Sequence, residues 1–432
     1  MDTITIRPLS RTLEAVVTVP GSKSYTQRAL ILAALARGES LLRQPLVAED
    51  TAHLAAALSS LGAVIKARDG DLLVQGTGGR LENPGREIYL GNNGTAMRIL
   101  TAVTAIGRGE FLLTGDKRLQ ERPLAPLLTA LNTLGVAARG RHRPGYPPVA
   151  IRTSGLPGGR VTLRDLDSSQ YVSALLIAAP YAAGDIRIDL AGRIPSRPYL
   201  AVTVEAMKEF GVEVREETPD RYLVRGGQCY RGKDYRIEGD ASGASYFFLA
   251  AALTGGSVEV RNVPLRTRQG DIGFLTLLTE LGCNVAAREN GVTVGGGPLR
   301  DGPRYFDLKD MPDMVPTLAV LAAVRPGRTV IANVAQLRIK ESDRLAALAT
   351  ELRKTGVPVI EGADSLVIDG GTPHGAEIET YNDHRIAMSF AVLGLTVPGM
   401  RIRNPRCVDK SFPGFWRELD KLSGEADPCT SC

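Results

Sequence analysis

Apolar residues along this chain form two kinds of helical segment, which alternate with short strand-like runs. One kind is apolar on nearly every face, as in Arg28-Ala-Leu-Ile-Leu-Ala-Ala-Leu35, and such a helix is expected to be buried on all sides. The other kind ends in a glycine that precedes a strand-like run, as in Leu61-Gly62-Ala63-Val64. Glycine in that place fits a left-handed helix cap. The pattern therefore predicts a mixed α/β protein.

Both kinds of helix recur at one period. The capping glycines follow one another at intervals of 71 to 76 residues, and the starts of the apolar helices at intervals of 71 to 74 residues. Generic alternation of helices and strands would not keep two independent markers in step, so we predict six copies of one structural unit. The glycines are Gly62, Gly135, Gly211, Gly282 and Gly356, and the helix starts lie near Ser24, Thr95, Ser169, Ser242, Met314 and Arg385.

The sixth unit is incomplete, because the chain ends soon after the helical segment Phe415–Leu422 without a trailing pair of strands. The N-terminal part instead begins with two strand-like runs, Ile4-Thr-Ile-Arg7 and Ala15-Val-Val-Thr-Val19. We predict that they form a hairpin that completes the last unit. This interpretation gives two lobes of three units each, one made of residues 1–20 and 240–432 and the other of residues 21–239.

Composition narrows the class of protein. Hydrophobic residues make up 44% and charged residues 23% of the chain, as in ordinary globular proteins. The net charge of +5 is small and evenly spread, which argues against a nucleic-acid partner. The longest apolar run, from Tyr171 to Ala183, is shorter than the ~18 residues that span a bilayer, and the N-terminus does not read as a signal peptide. We therefore expect no membrane contact and a cytoplasmic location.

Sequence motifs for metals and nucleotides are missing. The five cysteines are too few and too scattered for a disulfide framework, and the four histidines have no metal-site spacing. The terminal Cys429-Thr-Ser-Cys432 has the spacing of a redox or metal site, but it lies in a polar tail, which favours an incidental pair. Neither a Walker A loop nor a Gly-x-Gly-x-x-Gly turn after a strand is present. We expect no nucleotide, no required metal and no other cofactor.

The starts of the apolar helices carry the candidate chemistry. A helix start presents free N–H donors and a partial positive charge, so it suits anions. If the three buried helices of each lobe point the same way, these starts would line a highly positive cavity between the lobes, suited to a substrate with several phosphates and carboxylates. The starts concerned are Gly21-Ser-Lys-Ser24, Gly91-Asn-Asn-Gly-Thr95, Asp167-Ser-Ser-Gln170 and Asn382-Asp-His-Arg385.

Eight segments between about Pro20 and Phe415 resemble the 5-enolpyruvylshikimate-3-phosphate synthases in order and spacing. They are Pro20-Gly-Ser-Lys-Ser24 with Arg28-Ala-Leu, Leu90-Gly-Asn-Asn-Gly-Thr-Ala-Met-Arg98, Leu113-Thr-Gly-Asp-Lys-Arg-Leu119 with Arg122-Pro-Leu, Ser168-Ser-Gln-Tyr171, Glu238-Gly-Asp-Ala-Ser242, Ile339-Lys-Glu-Ser-Asp-Arg344, Tyr381-Asn-Asp-His-Arg385 and Lys410-Ser-Phe-Pro413. The resemblance implies a two-lobed inside-out α/β barrel, built from six βαβαββ-type units with three in each lobe.

The resemblance also implies an activity. Enzymes of this family transfer the enolpyruvyl group of phosphoenolpyruvate to the 5-hydroxyl of shikimate 3-phosphate and release phosphate, on the route to chorismate and the aromatic amino acids. They work without a cofactor and are commonly monomers. The partners expected from the resemblance are these two small molecules, without nucleic acid or membrane.

Site residues follow from the resemblance, position by position. Those implied for phosphoenolpyruvate are Lys23, Gly94, Arg122, Gln170, Arg344, Arg385 and Lys410. Those implied for shikimate 3-phosphate are Lys23, Ser24, Arg28, Ser168, Ser169, Gln170, Ser196, Asp313, Gln336 and Lys340. Within the second set the serines at 168, 169 and 196 would hold the phosphate, and Ser24 with Arg28 the carboxylate. Arginine forks suit both the phosphates and the carboxylates of these ligands.

Two carboxylates are the acid–base candidates. The resemblance implies Asp313 as the base at the 5-hydroxyl and Glu341 as the donor that protonates the methylene carbon, with Lys23 stabilising the departing phosphate. On position alone Asp313 could instead cap the helix that begins near Met314, and Ser168 and Ser169 could be ordinary caps. His384 could tune Glu341 or be a core histidine.

Two departures from the family pattern are visible. Gln336 stands where the family usually has asparagine, and Ile99 where it often has proline. Gly94 has no side chain and leaves room for a ligand longer than phosphoenolpyruvate, so we expect sensitivity to the inhibitor glyphosate, although Ile99 could alter the fit around Gly94.

Two other functions remain open on the sequence. The sister transferase that acts on UDP-N-acetylglucosamine has a reactive cysteine on a loop in its first third, but the segment Gly115 to Arg122 has none and Cys229 is the first cysteine. A non-catalytic anion-binding protein of the same fold is disfavoured, because Asp313 and Glu341 are both present.

Overall fold

The computed structural model describes residues 2–423, which form a mixed α/β protein with six small sheets. The predicted pair Cys429 and Cys432 lies outside the described residues. The chain divides into two compact units, one of residues 1–20 and 238–432 and the other Gly21–Ile237. The predicted second boundary lies two residues later, after Gly239. Within residues 2–423, no helix combines the length and the apolar composition needed to cross a bilayer.

The α-helices and the β-strands alternate along the chain. The helices are α1 (Lys23–Leu35), α2 (Glu49–Ser60), α3 (Gly94–Val103), α4 (Lys117–Gln120), α5 (Ala125–Thr133), α6 (Gln170–Ala178), α7 (Pro198–Glu209), α8 (Ala241–Thr254), α9 (Phe274–Glu280), α10 (Val315–Val324), α11 (Arg344–Lys354), α12 (His384–Leu393) and α13 (Phe415–Ser423). The strands are β1 (Thr3–Thr5), β2 (Glu14–Val17), β3 (Glu39–Arg43), β4 (Val64–Arg68), β5 (Asp71–Gln75), β6 (Ile88–Tyr89), β7 (Arg108–Thr114), β8 (Ala137–Gly140), β9 (Val149–Ser154), β10 (Gly159–Arg164), β11 (Ile186–Ala191), β12 (Arg215–Thr218), β13 (Arg221–Val224), β14 (Asp234–Arg236), β15 (Ser257–Val260), β16 (Asn284–Arg288), β17 (Gly291–Gly295), β18 (Arg304–Asp307), β19 (Gly327–Ala332), β20 (Val359–Glu361), β21 (Leu366–Gly370), β22 (Glu377–Ile378) and β23 (Arg401–Arg403).

Six helices are buried almost throughout, and each begins within one residue of its predicted start. They are α1, α3 and α6 in the unit Gly21–Ile237, and α8, α10 and α12 in the other unit. In α1 every residue from Tyr25 to Leu35 is buried, and in α12 the whole helix from His384 to Leu393 is buried. Because these helices are apolar on all faces, they form the core of each unit rather than its surface.

The glycines that follow the outer helices adopt the predicted conformation. Gly62, Gly135, Gly211, Gly282 and Gly356 have φ between +83° and +109°, and they lie two residues after the ends of α2, α5, α7, α9 and α11, respectively. Only glycine reaches this region without steric cost, so it ends each helix and redirects the chain. Two antiparallel strands follow each glycine, as predicted.

Six sheets surround the buried helices. Five have four strands, in the orders β10-β11-β13-β12, β14-β3-β5-β4, β16-β17-β15-β2, β18-β19-β21-β20 and β6-β7-β9-β8, and one has three, β1-β23-β22. In four of them the strand before a buried helix lies parallel to the strand after it. In the other two sheets the partners are exchanged. The strand before α8, β14, pairs with the strand after α1, β3, and the strand before α1, β2, pairs with the strand after α8, β15.

The predicted N-terminal hairpin is wrong. β1 pairs antiparallel with β23, with Thr3 opposite Arg403, whereas β2 pairs parallel with β15, with Val17 opposite Val260. The connection between them is too long for a tight turn, and its backbone bonds elsewhere, as from Leu9 N to Leu395 O. Thus β1 alone completes the sheet of the sixth unit, and β2 completes the sheet of the fourth.

Candidate active site

The predicted site residues fall into two groups, one in each compact unit. In the unit Gly21–Ile237 they lie at or near the starts of α1, α3, α6 and α7 and in the segment between α4 and α5. In the other unit they lie around the starts of α10, α11 and α12 and at the end of the 3-10 turn Pro405–Lys410. Each group is described by itself.

Lys23, the first residue of α1, is held by an acidic residue that the sequence analysis missed. Its Nζ lies 3.3 Å from Oδ2 of Asp50, which is buried in the first turn of α2. The backbone carbonyl of Asp50 accepts a hydrogen bond of 2.8 Å from Asn93 Nδ2. Asp50 therefore ties Lys23 to the loop before α3. Acidic residues are common in the first turn of a helix, so the sequence gives no sign of this contact.

The loop before α3 brings the backbone of a glycine against the guanidinium of an arginine. Asn93 caps α3, because its Oδ1 accepts a hydrogen bond of 2.9 Å from Ala96 N. A Cβ atom added at Gly94 would lie 2.6 Å from Cζ of Arg122, so the buried guanidinium sits directly over the helix start. The predicted pair Gly94 and Arg122 is therefore in contact. Ile99, further along α3, is buried in an unbroken helix.

The start of α6 is linked to α3 through Gln170. Its Oε1 accepts a hydrogen bond of 2.8 Å from Arg98, and its Nε2 donates one of 2.8 Å to Thr95 Oγ1. Ser168 also behaves as a cap, since its Oγ accepts a hydrogen bond of 3.2 Å from Gln170 N. Ser169 is buried and makes no capping bond. Arg98, which the sequence analysis did not assign to the site, therefore orients Gln170.

Arg28 and Ser24, both predicted to bind the carboxylate of the ring, lie one helical turn apart on α1. The Nε of Arg28 donates to Thr203 Oγ1 at 2.8 Å, and its NH1 donates to Ser24 O at 3.0 Å. Burial lowers the pKa of Arg28 to about 10, so it stays charged at neutral pH. Ser196, in the turn before α7, has a φ of +57° and is half-buried.

Asp313, in the 3-10 turn before α10, is a partner of cations and not a helix cap. It accepts hydrogen bonds from Arg344 NH1 at 2.9 Å and Arg385 NH2 at 2.8 Å, and Lys340 Nζ lies 4.0 Å away. The capping alternative is wrong, because α10 begins at Val315 without a side-chain capping bond. Burial alone would raise the pKa of Asp313, but these three cations outweigh it and hold that pKa well below its usual value.

Arg344 joins three carboxylates. Its side chain is 1% exposed, and it donates to Asp313 at 2.9 Å, to Glu341 at 2.7 Å and to Asp383 at 2.7 Å. Burial opposes the charge of Arg344, but the three carboxylates outweigh burial and raise its pKa. The predicted residues Asp313, Glu341, Lys340, Arg344 and Arg385 thus form one cluster.

Asp383 is a member of this cluster that the sequence analysis did not identify. It is fully buried, caps α12 by accepting from Arg385 N at 3.0 Å, and accepts from Ser342 Oγ at 2.9 Å. Aspartate is a common residue at a helix start, and nothing in the sequence indicated the contact with Arg344.

Three further predicted residues of this unit are also buried, namely Gln336, His384 and Lys410. The amide of Gln336 donates to Lys309 O at 3.4 Å, in the turn that precedes Lys340. His384 is buried in the first turn of α12, between Asp383 and Arg385. Lys410 is buried at the end of its 3-10 turn.

Asp271 is a further buried carboxyl that interacts electrostatically with Arg385. It is 2% exposed, in the 3-10 turn Gly270–Gly273, and accepts a hydrogen bond from the Ser242 hydroxyl in the first turn of α8. Burial raises the pKa of Asp271 to about 6; repulsion from Asp313 and Asp240 adds to this effect, whereas Arg385 and the Ser242 hydrogen bond oppose it.

This raised pKa predicts a stability that falls as the pH rises. The unfolded chain ionises Asp271 near pH 4, whereas the folded protein keeps it protonated until about pH 6. Folding therefore loses about 3 kcal/mol between pH 4 and pH 7 through this group. We expect Asp271→Asn to gain that amount relative to the parent protein across this range, measured as urea midpoints at several pH values. A difference between the two proteins that is independent of pH would contradict this assignment.

A family model described as EPSP synthase (3-phosphoshikimate 1-carboxyvinyltransferase) matches residues 9–419. The chain belongs to the EPSP synthase family. A curated 3-phosphoshikimate 1-carboxyvinyltransferase of Syntrophobacter fumaroxidans is 45% identical over 421 residues, covering 97% of this chain and 99% of the relative. The corresponding protein of Methanoculleus marisnigri is 44% identical over 410 residues, covering 94% and 96%.

Solved structures of the EPSP synthase family agree with the fold. The 2.37 Å structure of EPSP synthase from Acinetobacter baumannii superposes with a TM-score of 0.80 at 28% identity, and covers 98% of both chains. The two-lobed inside-out α/β fold implied by the sequence is therefore confirmed.

Proposed function

We propose that this chain transfers the enolpyruvyl group of phosphoenolpyruvate to the 5-hydroxyl of shikimate 3-phosphate, with release of phosphate. The observation that carries this proposal is the cluster in which the buried Arg344 bonds Asp313 and Glu341, in a chain of the EPSP synthase family. It contains two candidate acid–base groups and the cations that bind the carboxylate and phosphate of the donor substrate.

The binding roles are assigned by the chemistry of each side chain. For phosphoenolpyruvate we propose Lys23, Gly94, Arg122, Gln170, Arg344, Arg385 and Lys410. For shikimate 3-phosphate we propose Lys23, Ser24, Arg28, Ser168, Ser169, Gln170, Ser196, Asp313, Gln336 and Lys340. The serine hydroxyls and backbone amides at helix starts suit the phosphate, and Arg28 suits the carboxylate of the ring.

The reaction needs one proton removed and one supplied in each half. In the addition, Asp313 takes the proton of the 5-hydroxyl while Glu341 protonates the methylene carbon, and the oxygen bonds to the adjacent carbon to give a tetrahedral ketal. In the elimination, the bond from carbon to phosphate breaks, Lys23 stabilises the departing phosphate, and a methyl proton returns to Glu341 to restore the double bond. The proton held by Asp313 leaves with the phosphate or to water.

Asp313 cannot act as an effective base while both guanidiniums hold it. The charges of Arg385, Lys340 and Arg344 keep its pKa far below that of a useful base. Phosphoenolpyruvate offers those guanidiniums a second carboxylate and a phosphate, so its arrival draws Arg344 and Arg385 away from Asp313 and raises the basicity of that carboxylate. The donor substrate thereby activates the base that deprotonates the attacking 5-hydroxyl.

The first experiment is an assay of phosphate release from phosphoenolpyruvate with and without shikimate 3-phosphate. We expect release that depends on shikimate 3-phosphate and none with UDP-N-acetylglucosamine in its place. Binding of both ligands without phosphate release would instead favour the non-catalytic alternative. The absence of cofactor, nucleic acid and membrane contact, the monomeric state, the cytoplasmic location and the sensitivity to glyphosate stay predictions of the sequence.

Gly94→Ala is expected to raise the KM for phosphoenolpyruvate at least about 10-fold, with a smaller effect on kcat. The added methyl would lie 2.6 Å from Cζ and 2.7 Å from both terminal nitrogens of Arg122, which is buried and must move away from the ligand. Steady-state kinetics measures the change. Gly371→Ala is the matched control, because a Cβ there meets no atom within 4 Å. An unchanged KM would show that Arg122 does not hold phosphoenolpyruvate at this place.

A further inference from the structure

The turn that leads into α12 has an unusual backbone. Tyr381 and Asn382 are consecutive, neither is glycine, and their φ angles are +53° and +55°. Residues with a Cβ atom reach the left-handed region only at a cost in free energy, and two in succession need outside support. The next three residues are Asp383, His384 and Arg385. The backbone of this turn therefore determines the position from which the Arg385 side chain extends.

Helix α11 holds this turn at two points on one face. Its first residue, Arg344, donates to Asp383 Oδ2 at 2.7 Å. Two helical turns later, Glu351 Oε1 accepts a hydrogen bond of 2.7 Å from the Tyr381 hydroxyl. Because residues i and i+7 share a helix face, a single rigid element fixes both ends of the strained turn.

The carboxylate of Glu351 is held firmly in place. This carboxylate is fully buried, and its Oε2 accepts from Lys354 Nζ at 2.7 Å and from Glu379 N at 3.1 Å. Burial, together with the bond to Glu351, raises the pKa of the Tyr381 phenol, so it remains a donor at any pH at which the enzyme works. Tyr381 as a whole residue is 39% exposed, so it contributes little to the core and its firm attachment is through the hydroxyl.

The opposite side of the turn is also restrained. Asn382 Oδ1 accepts a hydrogen bond of 3.3 Å from Asn404 Nδ2, and Asp383 N donates to Thr380 O at 2.8 Å. Glycine at position 382 would allow this backbone freely but would leave it mobile, whereas asparagine gives a turn that is strained and fixed. A fixed turn is useful where a side chain must be aimed, and Arg385 NH2 lies 2.8 Å from Asp313 Oδ2.

We propose that Tyr381 and Glu351 are positioning residues that hold the turn before α12 in its strained conformation and thereby aim Arg385 at phosphoenolpyruvate. This inference rests on the proposed function, since it assigns Arg385 to the donor substrate. Neither residue touches the reacting atoms. Their effect reaches the reaction through the direction of one guanidinium, and small misplacements of such a group cost substantial rate.

The central experiment removes only the hydroxyl of Tyr381. Tyr381→Phe is expected to raise the KM for phosphoenolpyruvate about 10-fold and to lower kcat less, while the dissociation constant of shikimate 3-phosphate, measured by titration calorimetry, stays unchanged. Glu351→Gln keeps an oxygen acceptor for the Tyr381 hydroxyl and should remain closer to the parent protein than Glu351→Ala. This order of the two Glu351 variants tests the hydrogen bond itself.

A matched control is Tyr230→Phe in the other unit. The Tyr230 hydroxyl is buried and donates to Ile177 O at 3.0 Å, so the same chemical change should lower the thermal midpoint without altering either KM. If Tyr381→Phe lowers the midpoint and leaves the KM for phosphoenolpyruvate unchanged, the contact is merely structural and the proposal fails. Failure of the proposed function would look different, because the parent protein would then release no phosphate in the presence of shikimate 3-phosphate.

Discussion

Asp313→Asn is expected to lower kcat by about 10³-fold, because an amide cannot take the proton of the 5-hydroxyl. The side chain keeps its shape and one oxygen acceptor for the guanidiniums, so binding should change less than turnover. Rapid-quench single-turnover kinetics at saturating substrates measures the chemical step directly. Asp313 is 24% exposed and its cations have other partners, including Asp383 for Arg344, so the folded protein should survive the change.

A matched control for this variant is Asp369→Asn. Asp369 also pairs with an arginine through two hydrogen bonds, at 2.8 Å and 2.9 Å from Arg328, but this pair is exposed to solvent. Loss of that pair should leave kcat unchanged. If Asp313→Asn retains more than about a tenth of the parent kcat, Asp313 is not the base and its role is confined to neutralising cations.

Arg344→Met is expected to lower the free energy of unfolding by about 3–5 kcal/mol, and it should abolish turnover. Methionine has a similar length but leaves Asp313, Glu341 and Asp383 facing one another with one fewer cation. Buried carboxylates in that situation have raised pKa values, so the loss should shrink as the pH falls and they take up protons. Urea unfolding at several pH values measures both effects.

Two further variants separate charge from geometry at this position. Arg344→Lys restores one charge but not three directed donors, and we expect it to recover part of the stability and little of the activity. Arg328→Met removes an exposed pair and should cost no more than about 1 kcal/mol. A loss in Arg344→Met as small as that in Arg328→Met would mean that the three carboxylates around Arg344 find other compensation.

The buried helices could be predicted closely from the sequence, and the reason is physical. A helix surrounded by protein needs apolar residues on every face, and this leaves long Ala- and Leu-rich segments that no other element requires. The repeat then fixes their starts, as for α6, predicted near Ser169 and found from Gln170. The capping glycines could be predicted equally well, because few residues other than glycine adopt a positive φ.

Strand partners could not be predicted in the same way. The runs that became β1 and β2 alternate as strands do, but alternation says nothing of which distant strand supplies the hydrogen bonds. Adjacency in sequence suggested a hairpin, whereas β1 pairs with Arg401–Arg403 and β2 with Ser257–Val260. The pairing is decided by the packing of whole units.

The site residues also divide into those that could be identified from the sequence and those that could not. Residues such as Lys23, Arg122 and Arg385 were identified through family motifs, since a lone cation in a helix reads as surface. Their supporting groups escaped notice. Asp50 and Glu351 are acidic residues on outer helices, where exposed carboxylates are ordinary, and only the fold shows them buried against a lysine and a tyrosine. Charge in a sequence does not reveal burial.

The exchange of strand partners has a consequence for synthesis on the ribosome. The segment Gly21–Ile237 carries every strand of its three sheets, so it holds all its pairing partners as soon as it has been made. The first two strands of the chain emerge earlier but must wait, β2 until Ser257–Val260 follows and β1 until Arg401–Arg403 is complete. Both strands precede the segment Gly21–Ile237 in the chain but are paired only after that segment has been made.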